Sequence, residues 1–178
     1  MPDAMSAAPD DAFAGTKVLL FLGSRILVIR RDPYPGIVWP GRLDLPGGGR
    51  EGSESPEVCA VRETKEEVGL DLDPSAFLWK ADRQNQIGRH WMFAAKLSAK
   101  HAKDVRLGTE GTGWTLMAPD VLLNRTDAIP PHQQMLRRFL ADTGEGSPGM
   151  GTGTGGNRPV PAGSEVFGTD KDPRGTGG

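Results

Sequence analysis

The chain has 178 residues, enough for one domain with a hydrophobic core and too few for two domains of ordinary size. Its 21 Lys and Arg residues against 23 Asp and Glu give a formal charge of -2, so overall charge favours neither a long nucleic acid nor an anionic lipid surface as a partner. A single cysteine, Cys59, excludes an internal disulfide, and the three scattered histidines show no zinc-site spacing.

The two ends of the chain differ in composition from its middle. Residues 1–12 are small, acidic and Pro-containing, and residues 143–178 hold 12 of the 25 glycines. Segments of this composition bury too little apolar surface to offset the entropy that is lost on ordering. We therefore predict a flexible leader at 1–12, one folded domain at 13–142 and a disordered Gly-rich tail at 143–178.

No segment has the composition of an export signal or a membrane span. The N-terminal residues lack both a basic stretch and an apolar stretch. No run approaches the roughly 18 consecutive apolar residues that cross a bilayer. We expect a cytoplasmic protein that does not contact membranes.

The first predicted elements are the two strands of a β-hairpin. Residues 17–22 and 25–30 are rich in β-branched and large apolar side chains, and Gly23 with Ser24 separates them as a two-residue turn. After a Pro-rich loop, a short extended segment runs into three consecutive glycines at 47–49. Such clustering allows a tight turn or a close approach of the backbone to a ligand.

The next segment carries the start and stop signals of a helix at 56–68. Ser55 suits the N-cap, Pro56 suits the first helical position, and Gly69 follows the end. Farther along, the patterns at 90–97 and 113–117 predict strands, and 131–141 predicts an amphipathic helix. Strands mixed with helices in this order indicate an α+β fold or a layered α/β/α arrangement.

The predicted helix at 56–68 carries three carboxylates on one face. Glu63, Glu66 and Glu67 stand at i, i+3 and i+4, while Val68 points to the other side. Like charges at this spacing repel one another, and a hard divalent cation such as Mg²⁺ or Mn²⁺ would relieve the repulsion. An acidic face of this kind, taken alone, is also typical of a plain solvated helix surface.

The spacing of the surrounding residues is more specific than the acidic face. Seven residues match the pattern of the Nudix box at every fixed identity: Gly48, Glu54, Arg62, Glu63, Glu66, Glu67 and Gly69. Chance agreement would occur on the order of once in a million chains of this length. The segment GGGREGSESPEVCAVRETKEEVGL therefore resembles the Nudix hydrolases. The resemblance extends over about 17–140 and implies a single-domain Nudix-type α/β/α sandwich with a mixed β-sheet.

The resemblance also implies where Mg²⁺ or Mn²⁺ would bind. Glu66 and Glu67 would be the main ligands, and the backbone carbonyl of Gly48 would supply a further oxygen. Glu63 would bind metal or act as the general base. The bound ion would activate water for attack on phosphorus.

Other residues are candidates for supporting roles. Arg62 and Glu54 would orient the carboxylates, because a guanidinium can hold a carboxylate in a bidentate geometry. Glu110 lies in a later loop and is either an additional ligand or base, or a plain loop carboxylate. Three arginines flank the expected cleft and are candidates for binding substrate phosphates: Arg31, Arg42 and Arg50. Three tryptophans fit the core better than a base-stacking site: Trp39, Trp91 and Trp114.

These features predict a hydrolase that cleaves a phosphoanhydride bond in a nucleoside diphosphate derivative. Sequence marks of NADH, coenzyme A, dinucleoside polyphosphate and ADP-ribose subfamilies are absent, so a nucleoside triphosphate or a nucleotide sugar stays open as the substrate. The alternative is a Nudix-fold module that binds a nucleotide without hydrolysis, although such modules typically lack one of the acidic ligands. The expected partner is a small nucleotide-type molecule, and a homodimer is an open alternative to a monomer.

Overall fold

A mixed six-stranded β-sheet between two helical layers forms the folded part of the chain. The computed structural model describes residues 12–146 and Gly168. The strands are β1 (Gly15–Leu22), β2 (Arg25–Arg30), β3 (Leu43–Asp44), β4 (Phe77–Gln84), β5 (Arg89–Leu97) and β6 (Gly113–Met117). The helices of this part are α1 (Pro56–Val68), α2 (Pro119–Leu123) and α3 (Pro130–Thr143), with 3-10 turns at Pro74–Ala76 and Ala99–Asp104.

β1 lies at the centre of the sheet. It pairs with β2 through the predicted hairpin and runs parallel to β5, which in turn pairs antiparallel with β4. β2 also pairs antiparallel with β3 and with β6. Because both faces of β1 are covered, most of its side chains are apolar and buried. Lys17 is the one charged residue of this strand.

The core is divided into two layers by the sheet. Leu20 of β1 packs on one side with Cys59 of α1, and Leu19 packs on the other side with Phe139 of α3. Successive residues of a strand point to opposite faces, so a single apolar strand serves both layers. The predicted α+β class and α/β/α sandwich are confirmed.

Most of the predicted elements are confirmed. α1 begins at Pro56 and ends at Val68 as expected, and α3 begins one residue before its predicted start. The sequence does not predict β4 or α2. Half of the residues of β4 are polar and do not alternate regularly with the apolar ones, and the five residues of α2 are too few to show a helical period.

Much of the predicted leader and tail lies outside the described residues. α3 continues to Thr143 and is closed by Gly144 at φ 72°. Gly168 is also described, and both its backbone N–H and its carbonyl pair with Trp114 of β6. In the described part of the chain, no helix is long and apolar enough to cross a membrane.

Candidate active site

Helix α1 holds the three box carboxylates on the face turned away from the core. The Oγ of Ser55 accepts a hydrogen bond from the N–H of Val58, and Gly69 adopts the left-handed conformation (φ 74°) that ends the helix. The buried side of α1 is formed by Pro56, Cys59, Ala60, Thr64 and Val68. The opposite face therefore presents Glu63, Glu66 and Glu67 to a cavity.

Glu67 is the most deeply placed of the three carboxylates. Its Oε2 accepts a hydrogen bond of 3.0 Å from the backbone N–H of Gly47. Burial raises the pKa of Glu67 to about 7, although the nearby Lys17 ammonium and this hydrogen bond act in the opposite direction. A carboxylate in such a place gains from any cation that enters the cavity.

Glu63 lies directly against the glycine that opens the box. A Cβ on Gly48 would stand 2.6 Å from the carboxyl carbon of Glu63, so any larger residue would force the end of this side chain to move. Burial also raises the pKa of Glu63, partly offset by Arg62. The glycine at this position therefore creates space for a carboxylate.

Arg62 ties the acidic residues together. Its Nε and Nη2 donate to the two carboxyl oxygens of Glu54 at 3.0 and 2.7 Å, which is a bidentate pair. Its Nη1 donates to Glu63 at 3.0 Å and to Glu66 at 3.1 Å. The hydrogen bonds from Arg62 lower the pKa of Glu54 to about 2, so Glu54 stays ionised. This geometry suits the orienting role that the sequence predicts for Arg62 and Glu54.

A family comparison agrees with this geometry. The NUDIX domain family matches residues 13–139, which is more than half of the chain. The chain belongs to the Nudix family. Four of the seven residues that carry the sequence resemblance line one cavity: Gly48, Glu63, Glu66 and Glu67.

Solved structures show the same fold at low sequence identity. A MutT protein from Methanosarcina mazei Go1 is 20% identical at a TM-score of 0.59, covering 72% of this chain and 93% of that one. An Ap4A hydrolase of C. elegans is 20% identical at a TM-score of 0.60, covering 74% and 98%. A bifunctional NMN adenylyltransferase/ADP ribose pyrophosphatase from Francisella tularensis, complexed with AMP and a Mn ion, is 16% identical at 0.53, covering 76% and 43%. These likenesses support the Nudix fold.

The Nudix box faces a cavity of about 370 Å³, here called the carboxylate cavity. Glu110 reaches it from the loop before β6, so the loop carboxylate lies with the box residues. The same cavity is lined by two cations, Lys17 of β1 and Arg31 beyond β2. Carboxylates and two cationic side chains therefore share one space.

The carboxylate cavity offers oxygen ligands that suit a hard divalent ion. Glu63 and Glu67 are desolvated like charges, which favours a bound cation between them. In the described part of the chain, no three acidic, His or Cys side chains already converge as a closed metal cage. Arg62 holds Glu63 and Glu66 instead. The residue types and the space beside Gly48 fit a metal, and the carboxylates would turn toward it.

Lys17 was not among the residues that the sequence predicts for the site. Its Nζ donates to Asp44 Oδ2 at 3.0 Å, to the carbonyl of Leu45 at 3.1 Å and to the carbonyl of Gly47 at 3.0 Å. The Gly48 carbonyl, predicted as a metal ligand, accepts from the N–H of Thr16 at 2.9 Å. The sequence signal for Lys17 is that it is the single charged residue in the otherwise apolar segment 17–22.

Asp44 is the second residue that sequence reasoning missed. It is 5% exposed, and its Oδ2 accepts from both Lys17 and Arg31 Nη1, the latter at 2.8 Å. The Nδ1 of His132 lies 3.2 Å from its Oδ1 without meeting hydrogen-bond geometry. Burial alone would raise the pKa of Asp44, but Lys17, His132 and the backbone N–H of Leu45 hold it far below its usual range. A carboxylate between Leu43 and Leu45 in a short buried strand was the sequence signal.

The three predicted arginines lie in different places. Arg31 lines the carboxylate cavity. Arg42 donates to the carbonyl of Thr126 at 2.7 Å. Arg50 stacks over the ring of Phe13, 4.5 Å from its centre, and lines a separate shallow cavity. Of these three arginines, only Arg31 lines the carboxylate cavity.

A second cavity of about 200 Å³ lies beside the carboxylate cavity and shares Lys17 and Arg31 with it. Its apolar lining comes from three loops, the sheet and α3, and consists of Val38, Trp39, Ile87, Trp91, Met92, Ile129 and Met135. Its rim is exposed, since Ile87 is 75% and Trp39 is 40% accessible. The predicted core location is wrong for Trp39, which lies in a loop with φ 55°, whereas Trp91 is buried.

Proposed function

We propose that this chain hydrolyses a phosphoanhydride bond in a nucleoside diphosphate derivative, with water as the attacking group and Mg²⁺ or Mn²⁺ as the cofactor. The observation that carries the proposal is the shared lining of the carboxylate cavity. Glu63, Glu66, Glu67 and Glu110 face it together with the cations Lys17 and Arg31. This combination matches a reaction in which a negatively charged pyrophosphate is held among metal-binding carboxylates.

Glu63, Glu66 and Glu67 would hold the metal, together with a carbonyl of the glycine turn. When bound, the ion supplies a Lewis acid that lowers the pKa of coordinated water and neutralises phosphate charge. Glu110 reaches the same cavity and is available as a further ligand or as a base. Its place on a loop allows it to approach after substrate has bound.

The remaining residues of the cavity position the substrate and the acids. Arg31 is held by Asp44 at 2.8 Å, and its guanidinium is available to phosphate oxygens in the cavity. Arg62 fixes the orientation of the box carboxylates through Glu54. Lys17 donates to the carbonyl of Gly47, and the N–H of the same residue donates to Glu67. These contacts keep the acids in place before substrate arrives.

The second cavity would receive the organic part of the substrate. It adjoins the carboxylate cavity at Lys17 and Arg31, and its exposed apolar rim suits a flat apolar group. The exposed indole of Trp39 stands at this rim in a strained backbone conformation, a feature that occurs at ligand sites. Phosphates on one side and an organic group on the other describe a small nucleotide-type substrate.

The test is a panel of nucleoside triphosphates, nucleotide sugars, ADP-ribose and dinucleoside polyphosphates, with Mg²⁺, Mn²⁺ or EDTA. We expect metal-dependent release of phosphate or a nucleotide from one class. Glu67→Gln should lower kcat/KM about a hundredfold or more. Glu57→Gln is the matched control, because Glu57 lies on the same helix and pairs with Lys80 at 2.9 Å. Nucleotide binding without turnover across the panel would favour the non-hydrolytic binding module.

A further inference from the structure

Arg83 of β4 lines the second cavity without an acidic partner. Among the residues that the structure describes, no hydrogen bond or ion pair engages its guanidinium. Arg89 on the neighbouring strand differs, because its Nε donates to Asp82 at 2.8 Å. Arg83 is half-buried, and desolvation lowers the pKa of its guanidinium. A partly desolvated guanidinium with five N–H donors gains from any acceptor that enters the cavity.

The second cavity carries more positive than negative charge. Lys17 and Arg31 both bind the single carboxylate of Asp44, which leaves the charge of Arg83 without a counterion in this lining. Burial, together with repulsion from Lys17, Arg83 and Arg31, lowers the pKa of His132 to about 4 against the attraction of Asp44. The titration of this buried histidine thus reflects the same excess of positive charge.

A second donor lies near Arg83. The Oδ1 of Asn85 accepts from the N–H groups of Ile87 and Gly88 at 2.8 and 3.1 Å. These two bonds orient the amide so that its NH₂ group is left to donate, and Asn85 also lines the cavity. Donors predominate in this part of the lining, and a ligand placed here must supply acceptors.

We propose that Arg83 is a specificity-determining residue that binds an anionic group, a phosphate or a carboxylate, on the organic part of the substrate. This inference rests on the proposed function, and it narrows the substrate class to nucleotides with a second acidic group away from the reacting diphosphate. A neutral keto oxygen would accept a hydrogen bond from Arg83 but would leave its charge uncompensated. An anion supplies both the acceptor and the charge.

The experiment compares substrate pairs that differ in one acidic group. UDP-glucose against UDP-glucuronic acid tests a carboxylate, and ADP-ribose against its 2′-phosphate and NADH against NADPH test a phosphate. For the wild type we expect kcat/KM to favour the acidic member of at least one pair by about ten- to a hundredfold. Arg83→Met should abolish this preference while changing the neutral member by less than about threefold, and Arg83→Lys should retain part of it.

A control variant and a binding measurement separate the role of Arg83 from the proposed hydrolysis. Arg25→Met removes an exposed arginine from β2 and should leave every ratio unchanged. Calorimetric binding of each pair in Ca²⁺ measures the same preference without turnover. An absence of hydrolysis with the binding preference intact would refute the proposed function alone. No acidic preference in the wild type, or an equal preference in wild type and Arg83→Met, would overturn the role of Arg83.

Discussion

The carboxylate cavity and the second cavity meet at Lys17 and Arg31 but are built in different ways. The acids of the first come mainly from one turn and one helix, within residues 48–67. The second collects side chains from β1, β3, β4, β5, α3 and three loops. Chemistry that a family shares is thus encoded locally, whereas the contacts that would select a substrate are spread along the chain.

The largest effect that this comparison predicts is in the carboxylate cavity, whose acids lie close together in the sequence. Gly48→Ala would place a methyl group 2.6 Å from the Glu63 carboxyl carbon, so the end of this flexible side chain must move. We expect a loss of about a hundredfold in kcat with little change in Tm, because a displacement of about 1 Å at a reacting group costs that much. Gly36→Ala is the control, since a Cβ there meets nothing within 4 Å. Equal activity of the two variants would contradict the proposed placement of Glu63.

The boundary between the cavities is expected to contribute to stability. Lys17→Met removes the cation that joins Asp44 to the glycine turn, leaving Asp44 with Arg31. We expect the free energy of unfolding in urea to fall by about 2–3 kcal/mol, because the variant leaves a buried carboxylate partly unpaired. Lys65→Met removes an exposed pair with Asp71 and a long, exposed hydrogen bond of 3.4 Å to the carbonyl of Gly69, and it should change this free energy by about 0.5 kcal/mol or less. If the free energy of unfolding falls no further for Lys17→Met than for this control, the pair of Lys17 and Asp44 does not stabilise the fold.

The free energy of unfolding should depend on pH through His132, which lines the second cavity. Burial lowers its pKa from 6.5 to about 4, so the unfolded chain binds the proton more readily in this interval. The contribution to stability is complete above pH 6.5 and is lost as pH falls toward 4, on the order of 2 kcal/mol. Urea unfolding of His132→Gln across this range should show a flatter profile than the wild type. Parallel profiles would mean that His132 is not held neutral by the fold.

The smallest effect is expected at the rim. Trp39 has φ 55°, a conformation that glycine adopts without cost, so Trp39→Gly should be more stable to unfolding than Trp39→Ala by about 0.5–1 kcal/mol. Both variants should raise KM about three- to tenfold with little change in kcat, because the indole contacts only the non-reacting part of the substrate. An unchanged KM in both would remove Trp39 from the substrate site.

The comparison also explains how far the sequence predicts the protein. Helix α1 and its acids follow from short-range signals, a cap at Ser55, a glycine at the end and a fixed spacing between them. The pairing of Lys17 with Asp44 joins strands 27 residues apart, and nothing local specifies it. Arg83 lies in β4 among other polar residues, so the sequence alone does not single it out as a binding residue. Trp39 was expected in the core because large aromatics usually are, and a Pro-rich loop holds it outside instead.

The bridge between Gly168 and Trp114 has a consequence for the order in which native contacts open. Two backbone hydrogen bonds of 2.8 and 3.0 Å, and a fit against the indole that leaves no room for a Cβ, hold these residues together across 54 positions of sequence. Closing so long a loop carries an entropic cost that few contacts offset. The amide hydrogen of Trp114 should therefore exchange with solvent by local opening well before the amides of β6 that face β2.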